Sequence, residues 1–194
     1  IITTINKPNK NIFKFVNYCK KRNWELIIIG DKKSPKKYKI QYGKYFSLEE
    51  QKKLNFNYSK ICPINSYSRK NIGYLIALNN ENDFLIETDD DNYPKNHFFR
   101  SRKIEHTVNQ IKNKNWINIY DLFLGKKENI WPRGLPLNYV KLNKIEITKN
   151  KNKKNFFLQQ GLADNNPDVD AIYRIMNNKI DIKFDKNKKI DIGR

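Results

Sequence analysis

Three consecutive carboxylates, Asp89, Asp90 and Asp91, follow the short apolar run Phe84 to Ile86, and Pro94 interrupts the chain soon afterwards. Adjacent anions repel one another, and burying any of them without a partner is costly. We therefore expect this segment at the exposed end of a strand. Carboxylate oxygens suit hard divalent cations, and open α/β sheets bind ligands at the carboxyl ends of their strands. The pattern predicts a cation and phosphate site at a sheet edge, with a solvated acidic turn as the alternative.

The first thirty residues alternate between strand and helix patterns. Ile1 to Ile5 is typical of a buried strand, and Trp24 to Ile29 is a continuous apolar run. Between them, four apolar residues recur at helical spacing: Ile12, Phe15, Val16 and Cys19. A strand, a helix and a second strand in this order predict a parallel pair with a right-handed crossover, and hence an α/β fold.

Later segments give shorter signals. Ser47 to Glu50 has the pattern of a capping box and predicts a helix that ends near Leu54, after a loop at Lys32 to Lys44. A late helix is expected to turn Ile172, Ile175 and Met176 inward. Further strands are expected at four places: Ile61 to Ile64, Phe84 to Glu87, Trp116 to Tyr120 and Phe156 to Gln160.

The chain is strongly basic, with 39 Lys and Arg residues against 20 Asp and Glu and a formal charge of +19. The lysines are spread along the whole chain, which indicates a general bias in residue usage, so we expect no nucleic-acid partner. The positive field still favours a polyanionic substrate such as a nucleotide. The Lys/Asn run Lys149 to Asn155 is interpreted as a mobile hairpin tip or insertion, rather than as a nucleic-acid patch.

The two cysteines, Cys19 and Cys62, are too few for a disulfide framework or a zinc site. No apolar stretch reaches the length of a membrane span. The chain opens directly on a strand pattern and ends without an evident stop, so we expect a fragment of a longer protein. Localisation stays open: a soluble domain, cytoplasmic, or Golgi-luminal if the longer protein is anchored.

Arg69, Lys70 and Gly73 lie in the first turns of a helix whose apolar face is easily recognised. Two interpretations fit them equally well. In one, the basic pair is a solvated helix surface. In the other, the pair contacts a diphosphate and Gly73 allows its close approach.

A second acidic cluster contains Asp164, Asp168 and Asp170. An ordinary structural role explains most of it, because Asn166 suits a helix cap, Pro167 suits a first helical turn, and acidic residues complement the helix dipole. The functional alternative places one of these carboxylates as a catalytic base or an acceptor-binding group. The sequence does not choose between them.

Three phrases resemble the STELLO-type glycosyltransferase family: Ile86 to Pro94, Trp131 to Pro136 and Gly161 to Arg174. They occur in the same order and with similar spacing, and the resemblance spans most of the chain from Ile1 to Arg174. More distantly, the acidic triplet and the late acidic phrase are similar to those of reversibly glycosylated polypeptides. The triplet resembles the Asp-x-Asp motif of GT-A glycosyltransferases, which holds a divalent ion against a nucleotide-sugar diphosphate.

The resemblance implies an α/β, GT-A (Rossmann-like) fold with a mixed, mainly parallel sheet flanked by helices. It implies one domain over residues 1–194, with a nucleotide-binding half at 1–92 and an acceptor-side half at 93–194. The implied activity is metal-dependent transfer of a sugar from a nucleoside diphosphate sugar, first of all a UDP-sugar, to a glycan, protein or lipid acceptor. The implied cofactor is Mn²⁺ or Mg²⁺.

The resemblance also assigns site residues. Asp89 and Asp91 would bind the metal, with Asp89 or Asp90 near the ribose or the metal-bound waters. Asp168 and Asp170, with Asp164, would lie on the acceptor side and include the catalytic base. The remaining residues expected around the nucleotide are Thr3, Thr4, Asn6, Asp31, Arg69, Lys70 and Gly73.

One departure from the family pattern concerns histidine. GT-A folds often supply a late His as a further metal ligand, and no His follows His106. Two alternative functions stay open at this point. One is a sugar-nucleotide mutase or nucleotidyltransferase, which uses the same metal and nucleotide chemistry. The other is a non-catalytic, basic nucleic-acid-binding protein, whose binding would depend steeply on salt.

Overall fold

A computed structural model of the chain describes residues 1–124, 129–140, 145–149, 151–177 and 180–192. The chain forms two compact units, Ile1–Ser101 and Arg102–Arg194. The predicted single domain, with halves meeting at residues 92 and 93, stays a prediction. Within the described ranges, none of the helices combines the length and hydropathy that crossing a bilayer requires.

The first unit is built on a four-stranded sheet in the order β3-β2-β1-β4, in which every pair of neighbours is parallel. In chain order its elements are β1 (Ile2–Thr4), α1 (Lys10–Arg22), β2 (Ile27–Gly30), β3 (Lys44–Phe46), α2 (Leu48–Lys53), α3 (Asn57–Ile61), a 3-10 helix (Tyr67–Arg69), α4 (Lys70–Asn79), β4 (Thr88–Asp89) and a second 3-10 helix (Asn96–Phe99). The expected mixed α/β class with a mainly parallel sheet is confirmed, and it is consistent with a Rossmann-like GT-A fold.

Helices cover both faces of this sheet. Successive side chains of a strand point to opposite faces, so Ile28 packs with Phe15 of α1, while Ile27 and Ile29 pack with Ile72 of α4. All four residues of β2 are buried, which explains why its sequence is continuously apolar. The predicted parallel pairing of the first two strands is confirmed, with Ile2 opposite Ile28.

The predicted helix after Ser47 is α2, and its capping box is present. The Ser47 hydroxyl accepts a hydrogen bond from the Glu50 amide at 3.3 Å, and the Glu50 carboxylate accepts one from the Ser47 amide at 2.8 Å. We predict that Ser47→Ala lowers the free energy of unfolding by about 1 kcal/mol, because the hydroxyl cap is lost. Chemical denaturation measures this, and Ser47→Thr should retain most of the stability. Equal midpoints for wild type and Ser47→Ala would contradict the assignment.

Two expectations for the first unit are wrong in detail, and a third is confirmed. Ile61–Ile64 is not a strand, because α3 ends at Ile61 and the Ile61 side chain is exposed. The strand expected at Phe84 to Glu87 lies at Thr88–Asp89 instead, and Phe84 is exposed. The expected loop from Lys32 to Lys44 is confirmed, and β3 begins at its last residue and pairs with β2.

The second unit contains a three-stranded sheet in the order β6-β5-β7. In chain order its elements are β5 (Glu105–Gln110), α5 (Ile119–Phe123), a 3-10 helix (Leu137–Tyr139), β6 (Asn152–Asn155), α6 (Ala171–Met176) and β7 (Ile190–Asp191). β5 pairs antiparallel with β6 and parallel with β7. A separate apolar cluster forms the core of this unit: Tyr120, Ile130, Val169, Ile182 and Phe184.

The predictions of secondary structure from sequence are less accurate for the second unit than for the first. Trp116 to Tyr120 leads into helix α5 instead of forming a strand, and the strand expected at Phe156 to Gln160 lies just before it, at Asn152–Asn155. The three apolar residues of α6 that were expected to face inward are all exposed: Ile172, Ile175 and Met176. Residue 150, in the predicted hairpin tip, lies outside the described residues, while residues 152–155 form β6.

Candidate functional site

The acidic triplet lies at the carboxyl edge of the parallel sheet. β4 runs parallel to β1, and Asp89 is opposite Thr3 in the register. The strands point the same way, so the residues that follow them meet at one edge. Asp90 and Asp91 continue from the end of β4 at this edge, next to the segment that joins β1 to α1.

Asp89 is paired with a lysine on the α4 side of the sheet. Lys70 opens α4, and its Nζ lies 2.8 Å from Asp89 Oδ1 and 3.9 Å from Glu87 Oε2. The Lys70 side chain is 14% exposed and that of Asp89 is 45% exposed. Lys70 therefore lies beside the triplet, and its predicted contact with a diphosphate stays a prediction.

Asp90 faces the opposite way and is nearly buried, with 9% of its surface exposed. Its Oδ2 accepts hydrogen bonds from the Thr4 hydroxyl and from Asn6 Nδ2, the latter at 3.0 Å. Its backbone carbonyl accepts from Asn9 Nδ2 at 3.0 Å and from Asn11 Nδ2 at 3.2 Å. Asp90 is thus held by the segment that leads from the end of β1 into α1. The side chains of Thr4 and Asn6 are both used in these hydrogen bonds.

Asp91 is exposed, and so is Tyr93, two residues further along the chain. Lys14 Nζ lies 4.0 Å from the centre of the Tyr93 ring. A hydrogen bond with Lys14 and the Lys14 charge lower the pKa of the Tyr93 phenol. An ammonium group of α1 thus lies over an exposed aromatic ring that follows Asp91 by two residues.

Two tyrosines, Tyr38 in the segment before β3 and Tyr45 in β3 itself, stack on each other near the same edge. The centres of the two rings are 4.6 Å apart. Burial, assisted by the negative charge of Asp90, raises the pKa of Tyr38 to about 12. The phenol of Tyr38 is thus close enough to Asp90 for the negative charge of that carboxylate to act on it.

Asp31 follows β2, as expected, and its carboxylate connects two loops by hydrogen bonds. Its carboxylate accepts hydrogen bonds from the backbone amides of Lys32, Asn65 and Ser66, at 2.7, 2.9 and 3.1 Å. These bonds join the end of β2 to the turn before α4. Its predicted contact with a nucleobase, and that of Thr3, stay predictions.

Arg69 and Gly73 do not lie where a diphosphate could reach them. Arg69 is 2% exposed, and its guanidinium donates to Gln51 Oε1 at 3.0 Å and to the carbonyls of Cys62 and Pro63 at 3.0 and 3.2 Å. Gly73 is buried, and a Cβ there would lie 3.2 Å from Ile29 Cγ1. Its small size allows α4 to approach the sheet. We therefore leave both residues out of the site proposed below.

The second unit brings together two of the phrases identified in the sequence. Pro132 and Val169 form an antiparallel bridge, and the Arg133 amide donates to the Asp168 carbonyl at 3.1 Å. Arg133 Nη2 lies 2.7 Å from Asp168 Oδ1, and both side chains are exposed. The Tyr120 hydroxyl donates to the Asp168 carbonyl at 2.8 Å. Asp168 is thus an exposed carboxylate on a well-anchored backbone.

The other two late carboxylates have structural partners. Asp170 caps α6, because its Oδ1 accepts a hydrogen bond from the Ile172 amide at 2.9 Å. Asp164 Oδ1 accepts one from the Phe184 amide at 3.0 Å. The predicted N-cap, Asn166, accepts a hydrogen bond from Arg174 instead, at 2.9 Å. The structural interpretation of this phrase therefore accounts for Asp164 and Asp170, and Asp168 is the carboxylate that it leaves exposed.

Within the described ranges, no three His, Cys, Asp or Glu side chains gather closely enough to hold a metal ion between them. At the sheet edge Asp89 and Asp91 lie on either side of Asp90 in the chain, and Asp90 is engaged by Thr4 and Asn6. Within the triplet, Asp89 and Asp91 are therefore the carboxylates that Thr4 and Asn6 do not engage, and Asp89 is paired with Lys70.

Comparison with curated proteins gives two relatives over nearly the whole chain. The sequence is 28% identical to probable glycosyltransferase STELLO2 of Arabidopsis thaliana and 27% identical to probable glycosyltransferase STELLO1 of the same plant, in each case over 96% of this chain. The expected resemblance to the STELLO type is confirmed. The match covers 26% of each relative, so the chain spans about a quarter of their length. No family model matches, and no solved structure matches.

The STELLO-type resemblance did not indicate every residue of the site. Asn9 and Asn11, which hold the Asp90 carbonyl, were absent from the expectations, as were Tyr38 and Arg133. A signal existed for Asn9, because an Asn immediately before an apolar helical stripe is a good N-cap. Its side chain indeed accepts from the amides of Asn11 and Ile12. No local pattern indicates that Asn11 or Tyr38 lies near Asp90, since those contacts join distant parts of the chain.

Proposed function

We propose that this chain is the nucleotide-binding and acceptor-side part of a metal-dependent glycosyltransferase, which transfers a sugar from a nucleoside diphosphate sugar to an acceptor hydroxyl. We propose a UDP-sugar as the donor. The observation that carries the proposal is the pair of accessible carboxylates, Asp89 and Asp91, at the carboxyl edge of a parallel sheet and beside Lys70. The names of the two STELLO relatives support the same reaction class.

The residues at this edge suit a divalent cation bound together with a diphosphate. Mg²⁺ and similar hard ions are commonly held by one or two carboxylates, with substrate phosphates and waters completing the coordination. Asp89 and Asp91 supply oxygen ligands of this kind. A third protein ligand is not needed under this arrangement.

Lys70 is the residue of this chain best placed to bind the diphosphate. Its ammonium already neutralises Asp89, and it opens α4, where the helix dipole also favours an anion. A bound Mn²⁺ or Mg²⁺ would supply positive charge that stabilises the leaving diphosphate. In the transfer, the bond between the anomeric carbon and the diphosphate oxygen breaks, the diphosphate keeps the electron pair, and a bond forms to the acceptor oxygen.

The acceptor hydroxyl must lose its proton during this transfer. For a reaction that inverts the configuration, we propose Asp168 as the base, because its carboxylate is exposed while Asp164 and Asp170 are used by the backbone. Arg133 would hold the Asp168 carboxylate in position. A reaction that retains the configuration needs no base in that role.

Calorimetry of UDP binding tests the proposal directly. We expect UDP to bind in the presence of Mn²⁺ and to bind far more weakly after the metal is chelated. Product analysis with a labelled UDP-sugar then separates transfer from mutation, because transfer releases UDP whereas a mutase leaves the nucleotide attached to the sugar. If UDP does not bind with Mn²⁺ while DNA or RNA binds with a steep salt dependence, the nucleic-acid alternative replaces this proposal.

A further inference from the structure

Asp89 and Asp90 point to opposite faces of the sheet. Side chains alternate along a strand, and the alternation of β4 continues into Asp90. Asp89 meets Lys70 of α4, whereas Asp90 meets the segment that leads into α1. An Asp-Asp-Asp triplet in this setting therefore presents its middle carboxylate to the protein interior.

The contacts of Asp90 are those of an anchor. Burying a carboxylate is costly unless hydrogen bonds compensate for lost water, and Thr4 and Asn6 both donate to Oδ2. The backbone carbonyl of the same residue accepts from Asn9 and Asn11. Side chain and main chain of Asp90 are thus fixed by four donors from one continuous segment.

The anchoring segment is itself held in place. The Thr4 carbonyl accepts a hydrogen bond from the Ser34 hydroxyl at 2.6 Å, and the Thr4 hydroxyl accepts one from the Asn6 amide at 3.0 Å. Asn9 is the N-cap of α1 and is therefore tied to a helix of 13 residues. The position of Asp90 is consequently set by β1 and α1, two elements of the packed core.

We propose that Asp90 is a positioning residue, which does not bind the cation but fixes the backbone so that Asp89 and Asp91 face it together. This proposal rests on the proposed function, since it presumes a cation at Asp89 and Asp91. Hydrogen bonds that orient metal-binding groups typically change metal affinity by roughly 10- to 100-fold when they are removed. The donors to Asp90 should have an effect of that size, although none of them would touch the metal.

The test removes donors without changing charge. Thr4→Val deletes the hydroxyl but keeps the shape, and Thr4→Ser restores a hydroxyl. Asn9→Ser deletes the Nδ2 donor to Asp90 but keeps a good N-cap for α1. Mn²⁺ affinity is measured in the presence of UDP, from the paramagnetic resonance signal of free Mn²⁺, after thermal unfolding shows that each variant is folded.

We expect Thr4→Val and Asn9→Ser to weaken Mn²⁺ binding by roughly tenfold or more, and Thr4→Ser to bind within about threefold of wild type. If the wild type binds Mn²⁺ and UDP and both Thr4→Val and Asn9→Ser bind as tightly, the positioning role is overturned while the proposed function stands. If the wild type binds neither Mn²⁺ nor UDP, the proposed function fails and the positioning role fails with it. Asn9→Ser also decides the question if Thr4→Val does not fold.

Discussion

We expect the replacement of Asp91 with alanine to abolish the Mn²⁺-dependent binding of UDP, because the proposed function places the cation at this carboxylate. Asp91 is exposed and follows the last residue of β4 by two positions, so its removal takes away one of two carboxylates available to the cation. Stability should hardly change, because exposed side chains without special contacts alter the free energy of unfolding by about 0.5 kcal/mol or less. Calorimetry with UDP and Mn²⁺, combined with chemical denaturation, measures both quantities.

Asp83→Ala is the matched control for this experiment. Asp83 is also exposed and precedes the same segment, so its replacement removes the same charge from the same part of the chain. We expect Asp83→Ala to bind UDP with Mn²⁺ as the wild type does. Equal losses of affinity in both variants would indicate a general effect of charge, and unchanged binding in Asp91→Ala would remove Asp91 from the metal site.

The sheet and its first helix were predictable because their sequence signals are long. Four apolar residues at helical spacing determine α1, and β2 is a buried run on a sheet covered by helices on both faces. β3 and β4 have only three and two residues, too few for any periodicity to be visible. Their positions depend on pairing with β2 and β1, which is a tertiary effect. Periodicity therefore identified the centre of the sheet and missed its edges.

The second unit shows a different source of error. Trp116 to Tyr120 alternates as a strand would, yet α5 begins at Ile119. The Asn118 side chain accepts a hydrogen bond from the Tyr120 amide at 3.2 Å, and its Nδ2 donates to the Ile130 carbonyl at 2.7 Å. The helix therefore begins here because Asn118 caps it and is itself held by the carbonyl of Ile130, which is distant in the chain. Asn118 could have been recognised as a helix cap from the sequence, but the alternation of apolar and polar residues favoured a strand.

At the proposed site, the sequence drew attention to the triplet and to both Arg69 and Lys70, but it could not separate these two basic residues. Successive residues of a helix differ in direction by roughly 100°, so only one of two adjacent basic residues can face a given point. Which one does so depends on how the helix is rotated against the sheet. Here the buried face of α4 contains Ile72 and Gly73. Lys70, the first residue of α4, lies at Asp89, whereas Arg69, the last residue of the 3-10 helix before it, lies in the interior.

This difference between the two basic residues leads to opposite expectations for their alanine variants. Arg69→Ala should lower the free energy of unfolding by roughly 3–5 kcal/mol, because it leaves a cavity and removes the donors of buried acceptors. Those acceptors are Gln51 Oε1 and the carbonyls of Cys62 and Pro63. Arg69→Lys should recover little of this, since one ammonium cannot replace the planar fork of a guanidinium.

Lys70→Ala is the matched comparison, because it removes the same charge one residue away. Its ion pair with the half-exposed Asp89 should contribute no more than about 1 kcal/mol to the free energy of unfolding. Its affinity for UDP with Mn²⁺ should nevertheless fall by roughly tenfold, the effect of losing one charged hydrogen bond to a phosphate. Denaturation and calorimetry on both variants distinguish the roles. If Arg69→Ala is stable but does not bind UDP, while Lys70→Ala binds UDP normally, the roles of the two residues are reversed. The diphosphate would then lie beside Arg69.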